Sequence, residues 1–312
     1  MHRFRFVLYR PFQLLPVLLG ISIVSFVLVH AIPGDPVRAI IGPKATPEVI
    51  ERVRAQYGLD QPVIVQYLRF LQNVAHGEMG RSVVYKTSVV GLVTERFEAT
   101  IFLLGYAVVL ALCLTVPLAV TATLWRGRAP DHLIRMFSTA GLGFPAFWLG
   151  IMLMIVFSVR LGLFPVSGYG DDLLGHLHHL FLPALAIALA LSAILTRNLR
   201  ASLLAELDAD HIAAARAKGL PARWIFVHHV LRNALIPTIN LLGVNLGWLI
   251  GGTVVVESVF SVPGLGSLMV SSIFARDYMV VQPITLAFAC ATVLVNFVVD
   301  VVTVALDPRI EL

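Results

Sequence analysis

Charge is scarce in this sequence. Lys, Arg, Asp and Glu make up 13% of its 312 residues, against about 25% in an ordinary soluble domain. Apolar residues reach 58%, where about 45–50% is usual. That leaves too little polar material to cover a water-facing surface, which excludes a soluble enzyme, a disordered scaffold and a fibrous repeat. Cysteine is equally scarce. Cys113 and Cys290 both sit inside apolar runs, so neither a disulfide framework nor a cysteine metal site is expected. Strand-like alternation at period two is missing, which excludes an outer-membrane barrel. Reactive motifs are missing too. No G-x-x-x-x-G-K-[ST] occurs, since Lys86-Thr87 has the right ending but Tyr85 stands where glycine is needed. There is no G-x-G-x-x-G, no H-E-x-x-H and no G-x-S-x-G, so an intramembrane enzyme lacks its nucleophile or metal motif.

Long apolar runs are what the chain has instead. A bilayer core of about 30 Å needs about 20 mostly apolar residues per helix at about 1.5 Å rise. Six stretches meet this length: 12–32, 97–125, 136–159, 181–196, 234–256 and 283–306. The fourth is short and extends to Arg200, whose side chain can snorkel to the interface. In hydrocarbon only helices satisfy every backbone N–H and C=O of such a run. The fold expected is therefore all-α and membrane-embedded, with six transmembrane helices and a small helical extracytoplasmic insert after the first. Three parts follow: residues 1–32 (N-terminal tail and first helix), 33–96 (the insert) and 97–312 (a five-helix core with a cytoplasmic loop at 197–232).

Positive charge sets the orientation. Segments 1–10, 126–135 and 197–232 carry 12 Lys and Arg in 56 positions, whereas 160–180 and 258–282 carry only Arg160 and Arg276 in 46. Positive loops resist translocation, so both termini are expected in the cytoplasm. The net charge of +5 is thus a topology signal. Nucleic acid is not expected as a partner, because no basic helix or aromatic platform accompanies the charge. Arg3, Arg5 and Arg10 precede an apolar run of about 20 residues, longer than the usual 7–15 of a signal peptide. The first helix is read as retained.

Two connections carry structure of their own. In the insert, Thr46-Pro47-Glu48 offers a cap, a proline at the first helical position and an acid near the positive dipole end, for a helix running to Tyr57. A second helix is expected from Pro62 to His76, with Gly77 in the left-handed conformation and Val63, Tyr67, Phe70, Leu71 and Val74 on one face. It is either a lid on the bundle or a docking surface for an external partner. The loop 197–232 is far longer than the 2–8 residues that join bundle helices. Acidic Glu206, Asp208 and Asp210 precede Ile212-Ala213-Ala214-Ala215-Arg216-Ala217-Lys218, Gly219 ends that helix, and Pro221 starts the next. Its apolar side (Ile212, Ala215, Leu220) is thin for a membrane-surface helix. Three consecutive alanines flanked by Arg216 and Lys218 suit a protein socket better.

The run Ala213-Ala214-Ala215-Arg216-Ala217-Lys218-Gly219-Leu220-Pro221, with Leu231-Arg232-Asn233-Ala234-Leu235-Ile236-Pro237, resembles the cytoplasmic loop of ABC importer permeases. More narrowly it is similar to the first permease subunit of the dipeptide, oligopeptide and nickel branch. Ile32-Pro33-Gly34-Asp35-Pro36, Tyr57-Gly58-Leu59-Asp60-Gln61-Pro62, His76-Gly77-Glu78-Met79-Gly80, Arg276-Asp277-Tyr278 and Leu306-Asp307-Pro308-Arg309-Ile310 agree with it. So does Glu257-Ser258-Val259-Phe260-Ser261-Val262-Pro263-Gly264-Leu265-Gly266. One departure is Ala213, where the general importer pattern has an acid.

The resemblance implies a permease subunit of an ATP-driven importer in a bacterial inner membrane, moving short peptides. Its partners would be a second homologous permease, two ATPase subunits and an external substrate-binding protein docking on 33–96 and the outer loops, within the membrane lipid. No cofactor is expected in this chain; ATP and Mg would sit on the ATPases. Ile212, Ala213, Ala214, Ala215, Arg216, Ala217, Lys218 and Gly219 would couple the ATPases to the bundle through Asn233 and Pro237. Glutathione or nickel chelates are alternative cargoes. A self-sufficient channel or secondary transporter is the rival class, for which pseudo-symmetric halves and midplane charges are not evident.

Within the spans, Gly243, Gly247 and Gly251 recur at spacings of four, which allows close helix approach. They are assigned to permease–permease packing in preference to packing within the chain. Asn240 and Asn245 carry amides at membrane depth and are expected to face the translocation path. Glu257 and the loop with Pro263, Gly264 and Gly266 are candidates for the outer gate, where irregular backbone lines a cavity. Asp300, taken as the one buried aspartate, is expected to pair with an arginine at the inner rim. His176, His178 and His179 suggest nickel by ligand type, but the reading preferred is a solvated loop with no metal site.

Overall fold

The computed structural model describes residues 15–27, 46–56, 60–82 and 84–306. The motif at Ile32-Pro33-Gly34-Asp35-Pro36, the basic N-terminal residues, Tyr57, Gly58 and the tail from Asp307 lie outside the described residues. Among those described, the architecture is all-helical. Four helices are long and apolar enough to cross a membrane: α4 (Val89–Leu124), α7 (Leu173–Leu207), α9 (Ala222–Val259) and α11 (Tyr278–Leu306). A bent pair, α5 (Ala129–Gly143) and α6 (Ala146–Arg160), supplies a fifth candidate. The first expected span is described only over α1 (Leu15–Val27).

Four differences from the expected boundaries have physical causes. The third span is broken: α5 and α6 meet at 106°, where Phe144 takes an extended conformation (φ −109°, ψ 126°) ahead of Pro145. Proline clashes with a helical residue before it and has no N–H to give. The fourth span is one 35-residue helix, so 197–207 is helix and the intervening loop is shorter than 197–232. Helix α4 begins at Val89, so residues 89–96, assigned above to the insert, are continuous in helix with the second span. Finally, Arg200 does not snorkel; its guanidinium grips the buried Asp131 in two hydrogen bonds of 2.7 and 2.8 Å.

Small side chains decide how the long helices meet. Ala99, Leu103, Ala107, Ala111, Thr115 and Ala119 of α4 recur at intervals of four and are buried, chiefly against α7. Lipid tails are as apolar as leucine, so close van der Waals packing of small residues drives helix association in a bilayer. The alanine ladder of α4 performs that role, and its fixed spacing of four is present in the sequence. Gly243 and Gly247 of α9 belong to the same kind of contact. A Cβ on Gly243 would collide with Val299 of α11, and one on Gly247 would lie 3.2 Å from Thr292. Within the chain these two glycines meet α11, whereas a Cβ on Gly251 would meet nothing within 4 Å.

The insert contributes α2 (Pro47–Gln56) and α3 (Val63–Ala75), with Gly77 at φ 74° after the latter. Tyr67 and Phe70 of α3 pack on Phe26 of α1, with ring centroids at 5.3 and 6.0 Å. The Tyr67 hydroxyl lies 2.7 Å from Ser22 Oγ. Val63 was expected on that packed face but is exposed, beside exposed Ile64 and Leu68.

Candidate functional site

The described helices define two ends. At one, α4 and α7 finish at Leu124 and Leu207 and α9 begins; at the other, α4 and α11 begin and α9 finishes. The first end carries α8 (Asp210–Ala217). Asp210 stands in its first turn and Arg216 in its last, both favourable to the helix dipole. Gly219 then adopts φ 75° with Gly219 N–H donating to Arg216 O at 2.9 Å, and Pro221 caps the start of α9. A left-handed residue closing a helix favours glycine because a Cβ strains that backbone.

Burial splits α8 along its length. Ile212 (0% exposed) and Ala215 (8%) plunge into a cluster with Ala119, Leu199, Leu203, Ile225, Val230 and Ala234. Ala213, Ala214, Arg216, Ala217, Lys218 and Gly219 remain exposed. Ile212 and Ala215, grouped with the docking residues above, are thus the anchor rather than part of the open face. Glu206 completes the brace. Its Oε1 accepts from Asn233 Nδ2 at 2.8 Å and lies 3.0 Å from His211 Nε2, joining α7, α8 and α9. The apolar face of α8 is shared with α4, α7 and α9.

At the opposite end, α10 (Leu265–Phe274) sits between α9 and α11. Glu257 is fully buried (0% exposed) and satisfied. Thr100 Oγ1 donates to its Oε1 at 2.7 Å, and the N–H groups of Gly266 and Ser267 donate to Oε2 at 2.8 and 3.1 Å. Thr100 Oγ1 also accepts from Leu265 N–H at 2.8 Å. The carboxylate therefore caps α10 and ties it to α4, a favourable place for negative charge. Gly264 and Gly266 follow from this: a Cβ on Gly264 would strike the Glu257 carboxylate, and one on Gly266 would lie 2.5 Å from Val254 Cα. Pro263 is half-buried beside them. None of this group presents a free carboxylate to a cavity.

A second buried carboxylate clamps the far side of α10. Asp277 (1% exposed) accepts from Ser82 Oγ at 2.5 Å and Val84 N–H at 3.1 Å, while Tyr85 Oη lies 3.2 Å from Ser271 Oγ. Ser261 and Arg276, which flank α10, have φ of 49° and 56°. Asp131 and Asp277 are the buried aspartates in place of Asp300, which is half-buried and not without a partner.

Asn240 and Asn245 are half-buried on α9. The Asn240 Oδ1 accepts from Thr303 of α11, and Asn245 Nδ2 donates to Leu241 O at 2.7 Å. His176, His178 and His179 lie on the first turns of α7 rather than in an exposed loop. His176 stacks on Tyr169 at 3.9 Å, and one ring nitrogen of each histidine meets a backbone carbonyl at 2.8–3.1 Å. Burial, and then the neighbouring Glu98 carboxylate, push the Tyr169 phenol above its ordinary range. Among the described residues no group of three or more His, Cys, Asp or Glu is placed to hold a metal ion.

With this geometry stated, likeness to other proteins defines the class. Residues 115–312 match the family described as binding-protein-dependent transport system inner membrane component, and residues 3–104 match its N-terminal companion. The chain belongs to this family, the permeases of ABC importers. It is 40% identical over 306 residues, 98% of each chain, to the glutathione transport system permease protein GsiC of Escherichia coli strain K12. The GsiC protein of Salmonella paratyphi A matches it to the same extent. Its fold is similar to that of the MetNI methionine ABC transporter in an inward-facing form, with TM-score 0.58 and 17% identity, covering 69% of this chain and 96% of that one. A chain of an amino acid ABC transporter matches at TM-score 0.52 and 16% identity, covering 70% and 94%.

Proposed function

We propose that this permease forms part of the translocation path for short peptides in a bacterial inner membrane and is driven by ATPase subunits that grip α8. The observation that carries this reading is the division of α8. Its apolar face is sunk between α7 and α9, and its small-residue face, Ala213, Ala214 and Ala217, stands open beside Arg216 and Lys218. An exposed helix with no bulky side chain fits a partner's groove closely, and its buried anchor turns a pull into movement of two spans. The α8 end faces the cytoplasm in this reading, in keeping with the basic residues concentrated there. Two ATPase chains would supply the nucleotide and Mg sites, and a second, homologous permease the other half of the path. The exposed line Val244, Trp248, Gly251 and Val255 on α9 supports an inter-subunit face there. An external binding protein would dock on the insert and the α10 end.

Glutathione is itself a short peptide, and the identity with GsiC over nearly the full chain favours it as a cargo. The test is ATP-dependent uptake of peptide and of glutathione into vesicles holding the assembled importer. Deleting 213–218, or making Gly219→Pro, should abolish uptake of any cargo while the protein still inserts and binds its partner permease. Full transport by either variant would sink the proposal.

A further inference from the structure

Beside α8 lies a groove of about 390 Å³, of whose lining the coupling reading uses only Arg216. Leu124, Leu207, Phe226 and Val230 form its apolar walls, and Arg216 and Arg223 supply its charge. Its volume falls in the lower part of the range of small-molecule sites, about 300–1,000 Å³. Both arginines are exposed, and neither has an ion-pair partner among the described residues. Two acids flank the Leu207 wall: Glu206 is committed to Asn233 and His211, and Asp208 is exposed with no ion pair to either arginine.

The groove's depth in the bilayer is marked by its surroundings. Leu124 is the last residue of α4, and Trp125, 47% exposed, follows with the Arg128 guanidinium 5.6 Å above its ring. Trp224 adjoins Arg223 and is 43% exposed. Tryptophans at the ends of spans sit at the headgroup level of a membrane. A ligand entering here therefore has hydrocarbon on one side and water on the other. Apolar walls with two unpaired guanidiniums at that depth match one class of molecule, an amphiphile with an acyl chain and an anionic head.

The geometry points to a binding site for an anionic phospholipid in this groove, its acyl chain against Leu124, Phe226 and Val230 and its phosphate between Arg216 and Arg223. Because Arg216 belongs to α8, a bound lipid steadies the base of that helix and makes its motion sensitive to membrane composition. Arg216 is shared with the coupling reading, whereas Arg223 and the apolar walls lie outside α8.

The test is lipid retention by the full-length chain, read by native mass spectrometry after release from nanodiscs of phosphatidylethanolamine containing phosphatidylglycerol. The wild-type chain should keep phosphatidylglycerol in preference to phosphatidylethanolamine. Arg223→Gln should lower that retention about fivefold, the factor one basic residue contributes near an anionic surface. Ala222→Phe, which narrows the groove without touching charge, should lower it as well and guards against a folding defect of the first variant. Unchanged retention in both variants, or equal retention of the two lipids, would overturn the assignment. So would displacement by free glycerol phosphate at lipid-like concentration, which makes the site one for a soluble anion. Cross-linking from Phe226→Cys, a groove wall outside α8, to an ATPase chain in the assembled importer, with lipid absent, would overturn it in favour of a protein occupant.

Discussion

The two ends of the bundle hold a short helix each, and they hold it in opposite ways. At one end α10 is clamped from both sides by buried carboxylates, Glu257 onto α4 and Asp277 onto the turn at Ser82 and Val84. At the other, α8 has its apolar side packed through Ile212 and Ala215 and its remaining face bare. The first arrangement suits an element that must sit in one place until several hydrogen bonds break together. The second suits an element that must move with whatever grips it. Polar clamping resists small displacements, whereas a shared apolar anchor passes them on.

The difference can be broken experimentally, and the largest effect is expected at α8. Inserting a charge on its bare face, Ala214→Glu, should cut ATP-dependent uptake by at least tenfold while leaving thermal stability nearly unchanged, because the site is exposed. Uptake and melting temperature measured on one preparation separate a docking defect from a folding defect. At the α10 end the prediction is reversed. Glu257→Ala leaves Thr100 and two backbone N–H groups without an acceptor, and stability should fall by about 3 kcal/mol. Glu257→Gln keeps part of the hydrogen bonding and should fall less. Equal stability of all three proteins would show that the clamp contributes nothing.

The α8 end also holds the tie from Asp131 to Arg200. Arg200→Met leaves the buried Asp131 carboxylate with only the Gly127 N–H and the half-exposed Arg135 as partners, at a cost of about 3 kcal/mol, while the double change Asp131→Leu with Arg200→Met should restore most of it. Thermal unfolding of the three variants measures the difference, and additive losses would contradict a coupled pair. The smallest effects separate the glycines. Gly243→Ala must push Val299 aside and should lower the melting temperature, whereas Gly251→Ala has open space and should leave the isolated chain as stable as before. A loss confined to assembly with the second permease in Gly251→Ala would mark that face as the inter-subunit contact.

Local grammar made much of this legible in the sequence. Acid, alanine run, left-handed glycine and proline follow one another within 210–221, and α8 with its cap appears there as expected. Pro47, Pro62 and Gly77 likewise mark α2 and α3 to within a residue or two. Distant pairings left no such mark. Thr100 with Glu257, Arg200 with Asp131 and Ser82 with Asp277 join residues 69 to 195 positions apart, and one sequence has no periodicity that links them. Pro145 was visible, yet proline inside apolar helices is common here: Pro117, Pro183, Pro237 and Pro283 all lie within them. Only the extended backbone of Phe144 turned Pro145 into a break. The glycine spacing in α9 correctly signalled close approach but not which helix approaches, since the partner surface is set by the fold.

The central claim is that the bare face of α8 is where an ATPase subunit holds this permease. A single cysteine placed by Ala214→Cys, in a background with Cys113 and Cys290 replaced, should cross-link to an ATPase chain in the assembled importer, with a yield that changes when nucleotide is added. Absence of any cross-link at Ala214, together with an ATPase cross-link from the opposite end at Ser258→Cys, would contradict the account.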